Sequence, residues 1–150
     1  MFSDGRAETP SMLQSDASET LAELLVRVLD SARGYEEAAG AAPDDQLSAP
    51  FRERANQRRA NTAQLRERYA QLGIEVGNDA ELLAIPDRKF KHISSVSDQD
   101  DAALHEVIDG SERWLLQAYD AALALPNLSA SLADVIAAQR DDIREIVHDR

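Results

Sequence analysis

Two glutamates and one arginine are the residues of this sequence best placed for chemistry inside a helical core. Glu36, Arg58 and Glu112 each fall within or beside a stripe of apolar residues that recurs at helical spacing. A di-metal carboxylate centre takes one glutamate from each of two helices and a Glu-x-x-His motif from each of two others. Glu36 and Glu112 therefore match the two single carboxylates of such a centre, which would bind iron or manganese.

The sequence lacks some of the other ligands that a di-metal centre needs. The second helix offers Arg58 and Thr62 at its inner positions and no histidine, and a fixed guanidinium group would repel a divalent cation. The Glu-x-x-His match, Glu145 with His148, falls on the face opposite the apolar stripe of its own helix. We therefore expect no catalytic residue, no bound metal and no other cofactor in this core.

A buried polar network is the arrangement expected in place of the metal centre. Its predicted members are Glu36, Arg58, Ser111, Glu112 and Gln139, with Glu112 at its margin. Because buried charges are normally paired, and Glu36 and Arg58 fall at similar depths on neighbouring helices, these two are predicted to form a buried ion pair. The alternative hypothesis is a metal centre in which Glu36 and Glu112 hold iron or manganese.

Four stretches of helical periodicity position these residues. Apolar residues recur every three or four positions over about residues 18–42, 48–72, 98–125 and 130–149. The expected ends of these helices are marked by Ser18 for the first, Gly73 for the second, Ser97 with Asp100 for the third, and Ser129 or Ser131 for the fourth. Residues 1–17 have no such period, which predicts a poorly ordered tail before a single domain over residues 18–150.

The connection over residues 73–97 is long for a compact domain. A crossover that returns along the whole bundle, so that the third helix starts at the same end as the second, explains this length. Its apolar residues are expected to pack as one short helix, and they are Leu82, Leu83, Ile85, Phe90 and Ile93. The basic stretch from Arg88 to His92 predicts a salt bridge to the helices. The fold class is therefore all-α, a four-helix bundle with a long crossover between helices 2 and 3.

Composition excludes several classes of partner. The formal net charge is −12 and the pI is about 4.6, so the chain would repel both a phosphate backbone and an anionic bilayer. There is no cysteine, which excludes disulfides and thiolate sites. No apolar run approaches the length of a membrane span. We expect a cytoplasmic protein with neither a nucleic-acid nor a membrane partner.

Several short motifs, taken in order, resemble a known family. They are Gly34-Tyr35-Glu36-Glu37-Ala38-Ala39, Phe51-Arg52-Glu53-Arg54-Ala55 with Gln57-Arg58, Gly110-Ser111-Glu112 with Ala118-Tyr119, and Gln139 with Ile143. Over about residues 20–150 the chain resembles the bacterial ferritin-like four-helix-bundle proteins grouped under a domain of unknown function. The resemblance implies the ferritin-like fold and no established activity. The chain departs from that pattern at Pro86 in the crossover and near His148.

The sequence contains no catalytic constellation, which favours a protein that is not an enzyme. No glycine-rich phosphate loop or nucleophile elbow accompanies Tyr35 and Trp114, so both are expected to be core or interface aromatics. The leading hypothesis is a non-catalytic, stress-related or partner-binding bundle that binds another protein or a second copy of itself. The alternative is a metal-dependent oxidase or iron-handling protein that uses Glu36 and Glu112.

Overall fold

The computed structural model describes residues 2–84, 88–96 and 101–148, with side chains over residues 17–84, 88–96 and 101–146. Within these ranges the chain is all-helical and has no strand, which confirms the predicted all-α class. The helices are α1 (Phe2–Ala41), α2 (Asp45–Gln71), α3 (Asp79–Leu83), α4 (Ile93–Val96), α5 (Asp101–Leu123) and α6 (Ala130–His148), with a 3-10 turn at Phe90–His92 before α4. In the described part of the chain, no helix is both long enough and apolar enough to span a bilayer.

The four long helices contact one another as a ring in the order α1, α2, α6, α5. The hydroxyl of Tyr69, near the end of α2, donates to the carbonyl of Leu21 in the first half of α1 (2.7 Å), so these two helices are antiparallel. α5 is also antiparallel to α1, since Tyr35 contacts Glu112 whereas residues 19–23 lie beside Ala121. Consequently α2 and α5 run in the same direction on opposite corners of the ring.

α2 begins earlier than the sequence predicted. Its N-cap is Asp44, whose Oδ1 atom accepts the backbone N–H of Leu47 at 2.9 Å. Aspartate is a strong N-cap, so the helix starts at Asp45 rather than near Ser48, and Pro50 lies one turn deeper than expected.

The end of α2 agrees with the predicted glycine cap. Gly73 has a φ of +72°, the left-handed conformation that glycine adopts without a steric penalty. The N–H of Ile74 donates to the carbonyl of Tyr69 at 2.8 Å, and the N–H of Gly73 donates to the carbonyl of Ala70 at 3.2 Å. This pair of bonds is a Schellman motif, which turns the chain out of the helix and starts the connection.

The other helix ends differ from the predicted bounds in part. α1 begins at Phe2 rather than at Ser18, so Gly5 and Pro10 lie inside it although both residues disfavour a helix interior. α6 begins at Ala130, directly after the predicted cap Ser129, whose carbonyl accepts the N–H of Ala133 at 2.8 Å. The predicted cap of the third long helix, Ser97 with Asp100, lies outside the described residues.

The connection between α2 and α5 contains two short helices and a 3-10 turn, rather than one short helix. α3 is held by a capping box, in which the side chain of Asn78 accepts the N–H of Glu81 and the Glu81 carboxylate accepts the N–H of Asn78. Leu82, Phe90 and Ile93 are buried in the core. Leu83 is partly buried against the same core, so four of the five predicted apolar anchors pack there, whereas Ile85 lies outside the described residues.

The second half of the connection is fixed on α1 by a buried carboxylate. Asp30 is fully buried, and its Oδ1 atom accepts a hydrogen bond from Nε of Arg88 at 2.7 Å. The other oxygen of Asp30 accepts the backbone N–H of Phe90 at 3.3 Å. The predicted salt bridge from the basic stretch to the helices is thus confirmed for Arg88.

A glycine on α1 allows this close approach. A Cβ atom on Gly34 would lie 2.3 Å from the Cβ atom of Phe90 and 2.5 Å from its carbonyl oxygen. The Phe90 ring then packs between Tyr35 and Trp114, with ring centroids 5.5 and 6.2 Å away. Only a residue without a side chain fits at this point of α1.

We predict that Gly34→Ala lowers the free energy of unfolding by about 1–3 kcal/mol, because the new methyl group displaces the backbone of Phe90. Gly110→Ala is the matched control, since a Cβ atom there meets nothing within 4 Å on an exposed face of α5. That variant should be more stable by about 0.5–1 kcal/mol, the usual gain from alanine inside a helix. Chemical denaturation measures both, and equal effects at the two glycines would contradict the docking described.

Candidate functional site

A buried ion pair lies at the centre of the helix ring. Arg58 on α2 and Glu112 on α5 both have 0% relative exposure. Nη1 of Arg58 donates to Oε1 of Glu112 at 2.8 Å, and Nη2 donates to Oε2 at 2.7 Å. This bidentate geometry is the strong form of an arginine–carboxylate contact. The pair joins two helices that are not neighbours in the ring.

The electrostatics of the pair are decided by two opposing effects. Burial by itself disfavours both charges, and would lower the pKa of Arg58 and raise that of Glu112. The opposite charge and the hydrogen bonds across the pair outweigh this effect. The pKa of Arg58 is therefore raised and that of Glu112 lowered, so both groups stay charged at neutral pH.

Two further side chains extend the pair towards the surface. The hydroxyl of Tyr35 donates to Oε1 of Glu112 at 3.1 Å. Arg54, one turn before Arg58, directs its Nη1 atom at the Tyr35 hydroxyl from 3.4 Å, and its guanidinium carbon lies 5.4 Å from the Tyr35 ring centroid. Burial, followed by the charge of Glu112, raises the pKa of Tyr35 well above its usual value. Tyr35 is thus a neutral donor between two arginines and a carboxylate.

A second polar cluster joins α5, α6 and α2. The amide oxygen of Gln139 accepts a hydrogen bond from the hydroxyl of Tyr119 at 2.7 Å. The amide nitrogen of Gln139 donates to Oε1 of Gln64 at 2.8 Å and to the carbonyl of Asn61 at 3.3 Å. Burial is also the main reason that the pKa of Tyr119 is raised. Gln139 is therefore satisfied by this cluster and makes no hydrogen bond to Arg58.

The predicted pairing of Glu36 with Arg58 is wrong. Glu36 lies on the edge of α1, half-buried, and forms its ion pair with the exposed Arg59. Arg58 takes Glu112 instead, because α2 directs residue 58 into the centre and residue 59 towards the groove beside α1. The Oε1 atom of Glu36 is buried without a hydrogen-bond partner among the described residues.

Ser111 is buried beside Glu112 but belongs to a different contact. Its hydroxyl donates to the carbonyl of Lys89 in the connection, at 3.3 Å. Ser111 therefore helps to fix the connection against α5. Of the five residues predicted for one network, the structure brings Arg58 and Glu112 together and places Glu36, Ser111 and Gln139 in three separate contacts.

The residues present do not fit a di-metal centre. Both oxygens of Glu112 face the Arg58 guanidinium, and Glu36 faces Arg59, so each candidate carboxylate is already neutralised by a cation. Within the described ranges, no group of three or more His, Cys, Asp or Glu residues is placed to hold a metal ion. Glu145 is exposed on α6, and the side chain of His148 lies outside the described residues.

Three residues of the central cluster and its neighbour were not assigned polar roles from the sequence. Tyr35 was expected to be a core or interface aromatic, and neither Tyr119 nor Arg54 was given a role. A signal for the tyrosines existed, since a buried tyrosine hydroxyl normally finds a hydrogen-bond partner. No comparable signal identified Arg54, because its role depends on a ring from another helix.

Comparison with known proteins gives a family without an assigned activity. Residues 16–125 match the model of the family described as Domain of unknown function (DUF2383). No curated protein matches the chain, and no solved structure matches it. The match covers α1 from residue 16 onward, α2, the connection and α5. It therefore includes every residue of the central ion pair and of its extension to the surface.

We predict that Arg58→Met and Glu112→Leu each lower the free energy of unfolding by about 3–5 kcal/mol, because each leaves one buried charge uncompensated. The double variant should recover most of that loss, since two apolar side chains leave no charge to desolvate. Denaturant unfolding of all four proteins gives the coupling energy. Additive losses in the double variant would show that the pair does not act as a unit.

The lowered pKa of Glu112 predicts an acid-dependent stability. A carboxyl whose pKa is depressed in the folded state contributes stability that is complete above its unfolded pKa, normally 4.5 for glutamate, and is lost as the pH falls through the folded value. The wild type should therefore lose more stability between about pH 6 and about pH 3 than Glu112→Gln. Parallel unfolding curves for the two proteins across this range would contradict the assignment.

Proposed function

We propose that this chain, which belongs to the family described as Domain of unknown function (DUF2383), is a non-catalytic ferritin-like helical bundle with a buried polar pair in place of a metal centre, and that its role is stress-related or partner-binding. The observation that carries the proposal is the bidentate contact of Arg58 with Glu112 at the centre of the helix ring. This cation fills the position on the second long helix that a metal ligand would need.

The course of the helices supports the ferritin-like part of the proposal. α2 and α5 run in the same direction, although α1 with α2 and α5 with α6 form antiparallel pairs. A parallel pair of helices requires a connection that returns along the length of the molecule. Two contacts support such a return by the described part of the segment between Gly73 and α5, since Ile74 follows the end of α2 and Phe90 packs beside Tyr35.

The protonation states of the central cluster support a non-catalytic role. A general acid or base works best when its pKa lies near the operating pH. The pKa of Glu112 is lowered, that of Arg58 is raised, and those of Tyr35 and Tyr119 are raised by burial. Each group is therefore held in one protonation state around neutral pH and has no proton to exchange.

The alternative, an iron- or manganese-binding oxidase or iron-handling protein, is favoured by one specific atom. The Oε1 atom of Glu36 is buried and has no hydrogen-bond partner among the described residues. A metal ion could satisfy it, but it would lie close to the cation of Arg59. We regard this as the weaker proposal, because both candidate carboxylates are already paired.

The charge of the chain indicates the kind of partner. A net charge of −12 favours association with a basic surface and opposes contact between two copies. Self-association would have to use a face that brings opposite charges together, and the arginine-rich α2 is the face that offers them. A stress-related role, a cytoplasmic location and the lack of nucleic-acid or membrane partners remain predictions from the sequence.

Metal analysis of protein purified without chelator separates the two proposals. We expect no stoichiometric iron or manganese, and no saturable heat when Fe²⁺ or Mn²⁺ is titrated into the protein. Two tightly bound equivalents that disappear in Glu36→Ala would instead establish the metal-binding alternative. Glu106→Ala, which removes an exposed carboxylate from α5, is the matched control and should leave any binding unchanged.

A further inference from the structure

A recess opens to solvent between α2 and α6, outside the central ion pair. Its volume is about 310 Å³, and its lining residues are Pro50, Glu53, Arg54, Gln57 and Ile146. Pockets that hold small ligands occupy about 300–1,000 Å³, so this recess fits only a small molecule.

The cation in the recess has no carboxylate partner. Arg54 is partly buried and held against Tyr35 by the ring contact and the weak hydrogen bond already described. No carboxylate of the described residues lies within ion-pair distance of it. Four other partly buried arginines each have a carboxylate within 4 Å, and these are Arg27, Arg66, Arg88 and Arg140. Arg68, which is also partly buried, donates instead to the side-chain oxygen of Gln71.

The charges around Arg54 favour a ligand that carries one negative charge. The buried carboxylate of Glu112 is already matched by Arg58, so among the described residues Arg54 adds one positive charge that no carboxylate at ion-pair distance compensates. Glu53 also lines the recess, but it is exposed and forms no ion pair with Arg54. A ligand with a single negative charge neutralises Arg54, whereas a doubly charged phosphate would leave an excess negative charge in an already acidic chain.

The other residues that line the recess indicate the chemistry of the uncharged part of the ligand. The amide oxygen of Gln57 accepts a hydrogen bond from Nε of Arg58 at 3.4 Å, which leaves the Gln57 amide nitrogen as a donor at the recess. Ile146 and Pro50 supply the apolar part of the lining. A guanidinium and an amide donor beside aliphatic groups match a carboxylate attached to a short hydrocarbon chain.

We propose that this recess binds a small aliphatic carboxylate, whose carboxyl group contacts Arg54 and Gln57 and whose hydrocarbon chain packs on Ile146 and Pro50. The ligand would lie one side chain from the core, because Arg54 contacts Tyr35 and Tyr35 contacts Glu112. The site is independent of the metal question, since none of its lining residues is a candidate metal ligand. It also does not depend on a protein partner.

Titration with butyrate, followed by NMR of the backbone and of the arginine Nε–H groups, tests the proposal. We expect saturable shifts at Arg54, Gln57 and Ile146, with little change at Arg52, which is exposed and hydrogen-bonded to Ser48. Binding should weaken with added salt, because the contact is an ion pair at a solvent-open site. Butyramide, which has the same shape without the charge, should not bind. Equal binding of butyramide, or no saturable shift, would overturn the proposal.

Three variants give the test its controls. Arg54→Gln should weaken butyrate binding at least tenfold, and Arg52→Gln, an exposed arginine outside the lining, should leave it unchanged. Glu53→Gln should tighten binding, because it removes the like charge from the recess. Thermal unfolding establishes that each variant is folded. Unchanged binding in Arg54→Gln would assign the shifts to another site and refute this one.

A capped peptide with a single glutamate separates a free carboxylate from one carried by a protein. We expect the peptide to bind much more weakly than butyrate, because its backbone does not enter a recess of this volume. If the peptide bound and butyrate did not, the small-molecule proposal would be wrong. The butyrate titration and the metal titration are independent experiments. A lack of butyrate binding would therefore leave the proposed function unaffected, and metal binding would leave the proposed carboxylate site unaffected.

Discussion

The structure depends on the constraint that two full charges buried at its centre must satisfy each other. Arg58 and Glu112 are separated from water, and either one alone would destabilise the fold by several kcal/mol. Since the two residues lie on diagonal helices, their contact fixes how far α2 and α5 are shifted along each other. An apolar contact tolerates small shifts, whereas a bidentate contact requires both pairs of atoms to meet. The pair therefore selects one arrangement among those that would bury the same apolar area.

Other buried polar groups also fix the relative positions of two elements, at other points along the bundle. The Tyr69 hydroxyl on the Leu21 carbonyl aligns α2 with α1, and the Tyr119 hydroxyl on Gln139 aligns α5 with α6. Asp30 fixes the connection through both of its oxygens. Each of these contacts joins two elements, and each would leave an unsatisfied buried group if the elements slipped. The apolar core supplies the driving force, and these contacts specify the register.

The sequence predicted the helical class and the glycine that ends α2, because helical periodicity and left-handed caps are local properties. It also predicted the salt bridge from the basic stretch. It failed on the partner of Arg58, because periodicity gives the direction of a side chain on its own helix and not the residue that meets it across the molecule. Glu36 and Glu112 both lay near the inner faces, and only the relative rotation of α1 and α5 decided between them. The start of α2 was misplaced because Asp44 outweighs the turn signal of Pro50.

Gly34 links the local stability of α1 to the docking of the connection. Glycine disfavours a helix by about 0.5–1 kcal/mol relative to alanine, so α1 is weakened at the point where Phe90 docks. Once Phe90 and Arg88 leave α1, the helix loses the contacts that compensate for this weakness, and Asp30 is left without its partners. We therefore expect the C-terminal part of α1 to fray when the connection is released, so that the two segments open and close as one cooperative unit.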